Sequence, residues 1–517
     1  MSEASVNNKR IAKNTLFLYF RSIIVMAVGI YTSRVILQAL GVNDYGVYNV
    51  ISGFVAMFSI LSGSLVNASQ RFISYEMGKK SPQMSKIFSG TISIHLLLAI
   101  IILLIFESFG LWFLNTYLNI DADRLFAANW VFQCSVLTFC INLISVPYNA
   151  SIIAHERMNV FAYISIYEAL AKFGIVFLLY VFGYDKLIVY AILMLAIAVS
   201  LRLLYGYYCS RHFEECRFHF VIDKPLLKDM FGFIGWNFLG STTGLLNIQG
   251  INILINIFFG VALNAARGLA DQVNNAVNTF VSNFMTAMNP QITKSYSAGD
   301  YSYMNTLIIR GAKYATILYW FMSLVIFVEA DFVLDLWLVE VPSYAPIFLR
   351  LVIIFSIFQS LSNTLYIGML ATGRIKKYQI VMSSLYFGTF ILCYVFFKCG
   401  LGPEFGYISS LIAVFIGMFV RLYLLRNIIP SFDVKQYVTG ALVKSGLVIF
   451  VSTLGALGVS TFLKYNDIIE FVGVFLCSIL VIPISTYYIA LDSQEKMVVK
   501  RYLAKANCFV HSKPHKL

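Results

Sequence analysis

Long apolar stretches, separated by short polar ones, follow each other along nearly the whole chain. Because about 20 consecutive apolar residues cross the hydrocarbon core of a bilayer as a helix, each stretch is a candidate transmembrane helix. The stretches are too long and too uniformly apolar to be strands of a barrel. We predict an all-α polytopic membrane protein with about fourteen transmembrane helices, near 14–40, 45–72, 87–113, 125–150, 158–183, 187–210, 230–258, 262–290, 311–330, 344–372, 378–397, 405–425, 438–463 and 471–490.

The composition agrees with this pattern. Of the 517 residues, 59% are hydrophobic and 12% are charged, which is about half the charged share of an ordinary soluble protein. The eight cysteines form no CxxC pair and lack zinc-ligand spacing, so we expect neither a metal site nor a disulfide framework. No phosphate-binding GxxxxGK[ST] loop and no catalytic triad can be argued, so we expect a protein that is not an enzyme. The net charge of +13 would suggest nucleic acid as a partner of a soluble protein, but in a membrane protein the position of each charge relative to the bilayer matters more, so we expect no nucleic-acid partner.

The distribution of Lys and Arg predicts the orientation. With the N-terminus inside, the inner loops and tails carry 24 Lys and Arg residues, and the outer loops carry only Arg124, Lys186, Lys398 and Lys464. Positive residues concentrate on the cytoplasmic side of membrane proteins, so both termini are predicted to be cytoplasmic. The first apolar stretch is too long for a cleaved signal peptide. We therefore expect a multi-pass membrane protein with both termini in the cytoplasm.

The chain also repeats itself weakly at offsets of 217 to 225 residues. Ser74-Tyr75 corresponds to Ser295-Tyr296, and the loop 154–157 corresponds to 371–374. An even number of helices in each half predicts a parallel repeat about an axis along the membrane normal. The predicted organisation is a six-helix N-terminal lobe (1–210), a cytoplasmic connector (211–229), a six-helix C-terminal lobe (230–430), two additional helices (431–490) and a basic cytoplasmic tail (491–517).

The most informative stretch, 262–290, carries a polar stripe. Its members recur mostly every three or four residues and fall within an arc of about 100° on a helix. They are Asn264, Arg267, Asp271, Asn274, Asn275, Asn278 and Ser282. Such a face cannot point at lipid, so it lines either a water-filled cavity or a polar helix interface. Arg267 and Asp271 are four residues apart and are expected to neutralise each other in part.

Further polar residues in the other stretches extend the predicted cavity. Asn67 and Arg71 lie in the second stretch, and Asn237 and Asn252 lie in the seventh. Arg21 and Arg34 lie deep in the first stretch, whereas Lys313 lies near a span end and is expected to reach the membrane surface. The spans together carry a net charge of +6, which suits an anionic cargo.

Three segments resemble bacterial polysaccharide flippases of the O-antigen type, which belong to the MOP superfamily together with the MATE exporters and the lipid II flippase. They are NTLFLYFRSIIVMAVGIYTSRVILQALGVNDYGVYNVISG (14–53), PYNASIIAHERMNVFAYISIYEAL (147–170) and NAARGLADQVNNAVNTFVSNFMTAMNPQI (264–292). Within the first, the Ala-Leu-Gly…Tyr-Gly-x-Tyr element at 39–48 is typical of the branch that handles sugar-lipids.

The resemblance implies two six-helix lobes arranged in a V. It also implies movement of undecaprenyl-diphosphate-linked oligosaccharide units from the inner to the outer leaflet by alternating access, for polysaccharide, O-antigen or capsule synthesis. Arg21, Arg34 and Arg267 would bind the diphosphate, and the asparagines would bind sugar hydroxyls. No cofactor is implied, and coupling to H⁺ or Na⁺ is open, as is contact with the glycan polymerase. Expected partners are the lipid-linked oligosaccharide and membrane lipids.

Two other functions stay open at this point. A MATE-like, ion-coupled exporter of small cations would favour acidic cavity residues, which the embedded charge of +6 does not match. A membrane-embedded polysaccharide polymerase or ligase would need a large outer loop with catalytic residues, and the outer loops are short.

Overall fold

The computed structural model describes residues 3–56, 58–79, 83–117, 120, 122–181, 184–217, 219, 223–338, 341–463 and 466–500, and all regular structure in them is helical. The helices are α1 (Glu3–Ala56), α2 (Ser59–Lys79), α3 (Met84–Ile105), α4 (Leu111–Tyr117), α5 (Leu125–Ala154), α6 (Met158–Val181), α7 (Lys186–His212), α8 (Lys224–Phe259), α9 (Val261–Ser297), α10 (Tyr301–Val328), α11 (Ala330–Trp337), α12 (Ala345–Thr372), α13 (Lys376–Lys398), α14 (Phe405–Ile428), α15 (Val434–Tyr437), α16 (Lys444–Phe462) and α17 (Asp467–Ser485). The prediction of an all-α chain is confirmed.

Within the described ranges, twelve helical segments are long and apolar enough to cross a membrane. The multi-pass prediction is confirmed, and the predicted number of fourteen is approximate. The two predicted stretches without such a segment are 45–72 and 262–290. The first is not one helix, since α1 ends at Ala56 and α2 begins at Ser59. The second lies within the long helix α9, whose polar stripe lowers its hydropathy.

A glycine sets the bend in α1. Gly41 has φ 78° and ψ 168°, a conformation that is essentially restricted to glycine because a Cβ atom would clash with the backbone. The bend falls immediately after residue 40, where the first predicted stretch ends. Two prolines, by contrast, do not interrupt the helix assignment: Pro147 lies inside α5 and Pro290 lies inside α9. The predicted stretch 262–290 ends at Pro290, yet α9 continues to Ser297.

Packing divides the chain into two units. Unit 1 comprises Met1–Ile248, Ser282–Met304 and Ile367–Phe387, and unit 2 comprises Gln249–Val281, Asn305–Tyr366 and Gly388–Leu517. In unit 1, α5 packs closely against α7, and α1 packs against α6. In unit 2, Tyr319, Trp320 and Phe348 are among the largest fully buried side chains. The predicted lobe boundaries at 210 and 230 stay a prediction.

The two turns that the sequence repeat pairs have the same backbone conformation. Glu156 follows α5 and has φ 58°, and its counterpart Gly373 follows α12 and has φ 71°. Both therefore occupy the left-handed region, which a residue with a side chain adopts only at a cost of about 1–2 kcal/mol. The shared geometry supports the correspondence between these two loops.

Candidate functional site

A cavity of about 460 Å³ lies inside unit 1. Residues of six helices line it: Arg21 of α1; Val66 and Gln70 of α2; Asn142, Ser145, Val146, Asn149 and Ile153 of α5; Phe161 and Glu168 of α6; Leu201 and Tyr205 of α7; and Ser282, Asn283 and Thr286 of α9. Its volume is in the range of small-molecule binding sites, and its lining is mostly neutral and polar.

Arg21 supplies positive charge to this cavity. Its guanidinium carbon lies 4.7 Å from the centre of the Phe161 ring, and its buried Nε has no hydrogen-bond partner among the described residues. The other charged lining residue, Glu168, accepts a hydrogen bond of 2.6 Å from Lys172 Nζ, which neutralises its charge. Arg21 therefore offers a cavity ligand a positive charge.

The neutral side of the cavity comes largely from α5. Asn142, Ser145 and Asn149 follow steps of three and four residues, which place them on one face of the helix. The Asn149 side chain donates to Tyr205 Oη at 3.5 Å. This face was not predicted from the sequence, although its residues have the same three- and four-residue spacing as the stripe on α9. These amides and hydroxyls can exchange hydrogen bonds with water or with sugar hydroxyl groups.

Helix α9 contributes the C-terminal end of its stripe to the cavity. Ser282, the last residue of the stripe, lines the cavity together with Asn283 and Thr286. The side chain of Asn283 donates a hydrogen bond of 2.6 Å to Ser22 Oγ, which ties α9 to α1 beside Arg21.

The other predicted residues of unit 1 lie outside this lining. Arg71 packs against the rings of Phe72 and Tyr75, each 4.6 Å from its guanidinium carbon, and donates to the carbonyl oxygen of Ala371 at 3.5 Å. Asn237 is fully buried, where it donates to the Ser64 carbonyl oxygen at 3.4 Å. These two residues join helices in this structure.

Asn67 lies partly buried on α2, one turn from Gln70. Arg34 lies in α1, and its side chain is outside the described part of the chain. The roles predicted for these residues in cargo binding stay predictions.

In unit 2, Arg267 is 5% exposed. Its guanidinium carbon lies 5.0 Å from the Tyr407 ring centre, and its Nε lies 3.8 Å from Asp271 Oδ2. Tyr407 Oη in turn donates to Asp271 Oδ1 at 2.9 Å. The expected pairing of Arg267 with Asp271 is thus present, and the buried Nε and Nη1 of Arg267 have no hydrogen-bond partner in the described residues.

The asparagines of the stripe have different environments. Asn274 is buried and accepts hydrogen bonds from Tyr319 Oη at 2.7 Å and Ser356 Oγ at 2.8 Å. Asn278 donates to the same Ser356 hydroxyl at 3.4 Å. Asn275, by contrast, is exposed. Part of the stripe is therefore a polar helix interface.

The remaining predicted lining residues are less constrained. The Oδ1 atom of Asn264 is buried without a hydrogen-bond partner among the described residues. Asn252 is half-buried and donates to Gln249 Oε1 at 3.2 Å within α8.

Comparison with known proteins identifies the family. The profile of the polysaccharide biosynthesis protein family matches residues 11–296, which is more than half of the chain and includes every residue that lines the cavity. The chain belongs to this family. No protein in a search of curated sequences matches it significantly.

Solved structures show the fold of this polysaccharide biosynthesis protein. A MATE protein carrying a point mutation is 14% identical over 81% of this chain and 97% of its own, with a TM-score of 0.69. An outward-facing MATE multidrug resistance transporter of the MOP superfamily is also 14% identical, over 82% of this chain and 97% of its own, with a TM-score of 0.69. A MOP superfamily transporter from Pyrococcus furiosus, described as having a binding pocket of reversed polarity, is 13% identical over 82% of this chain and 96% of its own, with a TM-score of 0.67. The polysaccharide biosynthesis protein thus has a MATE-like fold.

Proposed function

We propose that this protein is a flippase that moves undecaprenyl-diphosphate-linked oligosaccharide from the inner to the outer leaflet of a bacterial cytoplasmic membrane by alternating access. The family match supports a role in polysaccharide synthesis, and the fold supports transport rather than catalysis. The observation that carries the proposal is the unit 1 cavity, where Arg21 stands among neutral amides and hydroxyls. An anionic diphosphate with an attached sugar chain requires this combination.

In this mechanism, Arg21 binds a phosphate oxygen pair, because its planar guanidinium has several donors in a fixed geometry. Asn142 and Asn149 would bind sugar hydroxyls. The ring of Phe161 holds the guanidinium in place from one side. A small-cation exporter is the second candidate, since the solved relatives include multidrug transporters, but Lys172 already neutralises the Glu168 carboxylate.

The test replaces Arg21 in cells whose own copy of the gene has been deleted. Arg21→Ala should reduce surface glycan to roughly a tenth or less, because a lost hydrogen bond to a charged group costs about 1.5–3 kcal/mol. Lipid-linked oligosaccharide should accumulate in the inner leaflet. Arg21→Lys should restore part of the glycan, since it retains the charge without the paired donors.

Arg211→Ala is the matched control, because Arg211 is an exposed arginine at the end of α7, stacked on Tyr207 and remote from the cavity lining. It should leave surface glycan unchanged. Normal glycan with Arg21→Ala at normal protein level would contradict the proposal. A change in drug resistance alone would favour the exporter.

A further inference from the structure

A fully buried carboxylate joins three segments of unit 1. The Glu156 side chain has no exposed surface, and its Oε2 lies 2.5 Å from Arg10 Nε. Lys294 Nζ contacts Oε1 at 2.7 Å, and Gln291 Nε2 donates to Oε2 at 2.7 Å. The Glu156 backbone oxygen accepts a hydrogen bond of 3.0 Å from Asn14. We call these five residues the Glu156 cluster.

The cluster centres on a residue whose backbone conformation favours glycine, because the N–H groups of Glu156 and Arg157 bond back to the carbonyl oxygens of Ile153 and Ile152 and end α5 in a left-handed turn. Glu156 is the described non-glycine residue with positive φ, and its counterpart in the repeat is Gly373. A non-glycine residue keeps a left-handed backbone only where the surrounding structure fixes it in that conformation. Such residues are often found at functional positions. The protein has a carboxylate where a glycine would fit without strain.

The cluster lies at one end of the cavity. On α1, Arg10 and Asn14 precede Arg21 by 11 and 7 residues, and on α9 Gln291 follows Thr286 by five. At about 1.5 Å per residue, Arg10 is roughly 16 Å further along α1 than Arg21. Glu156 itself comes three residues after the lining residue Ile153. The cluster therefore joins α1, α9 and the α5–α6 turn just beyond the cavity, at the end where the N-terminus lies.

The corresponding turn of the second half has a contact of a different kind. There, Arg71 of α2 reaches the α12–α13 turn, where a Cβ atom built on Gly373 would lie 2.5 Å from its Nη2. That contact uses a carbonyl oxygen and aromatic rings and contains no carboxylate. In the described residues, Glu156 has carboxylate–cation contacts shorter than 4 Å, whereas Asp229 and Glu76 act on Arg71 without such a contact.

We propose that the Glu156 cluster is the contact that closes the inner end of the cavity, and that α9 must part from the α5–α6 turn for cargo to enter. This role rests on the proposed function, since it assigns the cluster to the transport cycle of that cavity. An ionic contact suits a reversible closure, because Lys294, Arg10 and Glu156 all regain water when they separate. An apolar closure would expose its surface to water at every opening.

The experiment measures access from the inner side directly. A reporter cysteine replaces Thr286 in a chain in which Cys399, Cys477 and Cys508 are serine, and the other five cysteines are buried. A membrane-impermeant maleimide is added to inside-out vesicles. Glu156→Gln keeps the size of the side chain, but it removes the charge that Arg10 and Lys294 share and replaces one of the two acceptor oxygens with a donor NH2 group. The rate at which the reporter cysteine is labelled should rise roughly tenfold, because the lost ion pairs shift the equilibrium between the closed and open inner end by a factor typical of coupled sites.

Glu215→Gln is the matched control. Glu215 pairs with His155, the neighbour of Glu156 in the same turn, at 2.5 Å, and it contacts neither α1 nor α9 in the described contacts. Although burial opposes ionisation, the hydrogen bond with His155 holds the pKa of Glu215 below its ordinary value, so this control also removes an ionised carboxylate. It should leave labelling unchanged.

Lys294→Met is the second variant and should raise labelling in the same direction as Glu156→Gln. Unchanged labelling in both variants, at normal protein level and normal thermal stability in detergent, would overturn the proposal. So would an equal rise in Glu215→Gln. The labelling assay needs no cargo, so it can succeed even if Arg21→Ala leaves surface glycan unchanged. Equally, unchanged labelling would not alter the result of the Arg21 experiment.

Discussion

Two adjacent asparagines illustrate what a single residue contributes to this molecule. Asn274 accepts hydrogen bonds from Tyr319 and Ser356 in the interior of unit 2, whereas Asn275 is exposed. Both belong to the stripe that the sequence places within one arc of α9. Periodicity identifies the polar face of a helix, but it cannot tell which member meets a partner from a distant helix. The interface role of Asn274 therefore required the structure.

This difference predicts unequal effects of substitution. Asn274→Ala should lower the free energy of unfolding by about 1–3 kcal/mol, because two buried hydroxyl groups lose their acceptor. Asn275→Ala should change it by less than about 0.5 kcal/mol. Thermal unfolding of the purified protein in detergent measures both. Equal shifts would mean that the Asn274 interface contributes no more than an exposed position.

Helix α1 shows how one element depends on a single backbone position. The sequence predicted its first apolar stretch and the end of that stretch at residue 40, since hydropathy falls there. The next predicted stretch ran from 45 to 72, whereas the helix resumes directly after Gly41 and ends at Ala56. Hydropathy reports where a segment is apolar, whereas the bend depends on a φ of 78° that only a glycine accepts readily.

Gly41→Ala should therefore destabilise the protein by about 1–3 kcal/mol, because alanine is strained in this conformation. Gly46→Ala is the control within the same helix. A Cβ atom there would meet nothing within 4 Å and φ is not positive, so the change should be neutral or stabilising by up to about 1 kcal/mol. Thermal unfolding again gives the comparison, and an equal loss in both variants would contradict the role of the bend.

At the scale of the whole molecule, charged contacts join segments that are far apart in the sequence. Lys313 was expected to reach the membrane surface, yet it is 1% exposed and lies 2.8 Å from Glu495. Arg310 also contacts Glu495, at 3.0 Å. The start of the predicted tail is thus packed into unit 2 through Glu495. Residues 501–517, with Arg501 and Lys505, are outside the described part of the chain.

Glu495→Gln should cost about 3–5 kcal/mol, because it leaves Lys313 buried without a counter-charge. Asp492→Asn is the control, since Asp492 is half-exposed beside Lys444 and such pairs contribute up to about 1 kcal/mol. The measurement is thermal unfolding together with the amount of protein in the membrane. A larger loss for Asp492→Asn would show that the tail is held elsewhere.

The sequence could predict the helical class, most of the membrane-spanning segments and the polar character of α9, because these follow from local composition and period. Arg21 was also predicted, from its depth in an apolar stretch. The partners of Glu156, Asn237 and Lys313 could not be predicted, since each lies on a helix more than 100 residues away. The α5 face of the cavity could have been found by applying the same spacing test to every stretch.

The polarity of α9 has a consequence for how the chain enters the membrane during synthesis. Arg267 and Asp271 lie in the N-terminal half of α9. Because each charged side chain raises the free energy of membrane insertion by about 2.5–3.5 kcal/mol at mid-bilayer, α9 alone passes poorly from the translocon into lipid. Its apolar neighbours α8 and α10 do not share this handicap. The nascent α9 must therefore be retained beside the translocon until helices made later, which include the α10 and α12 partners of Asn274, arrive to cover its polar face.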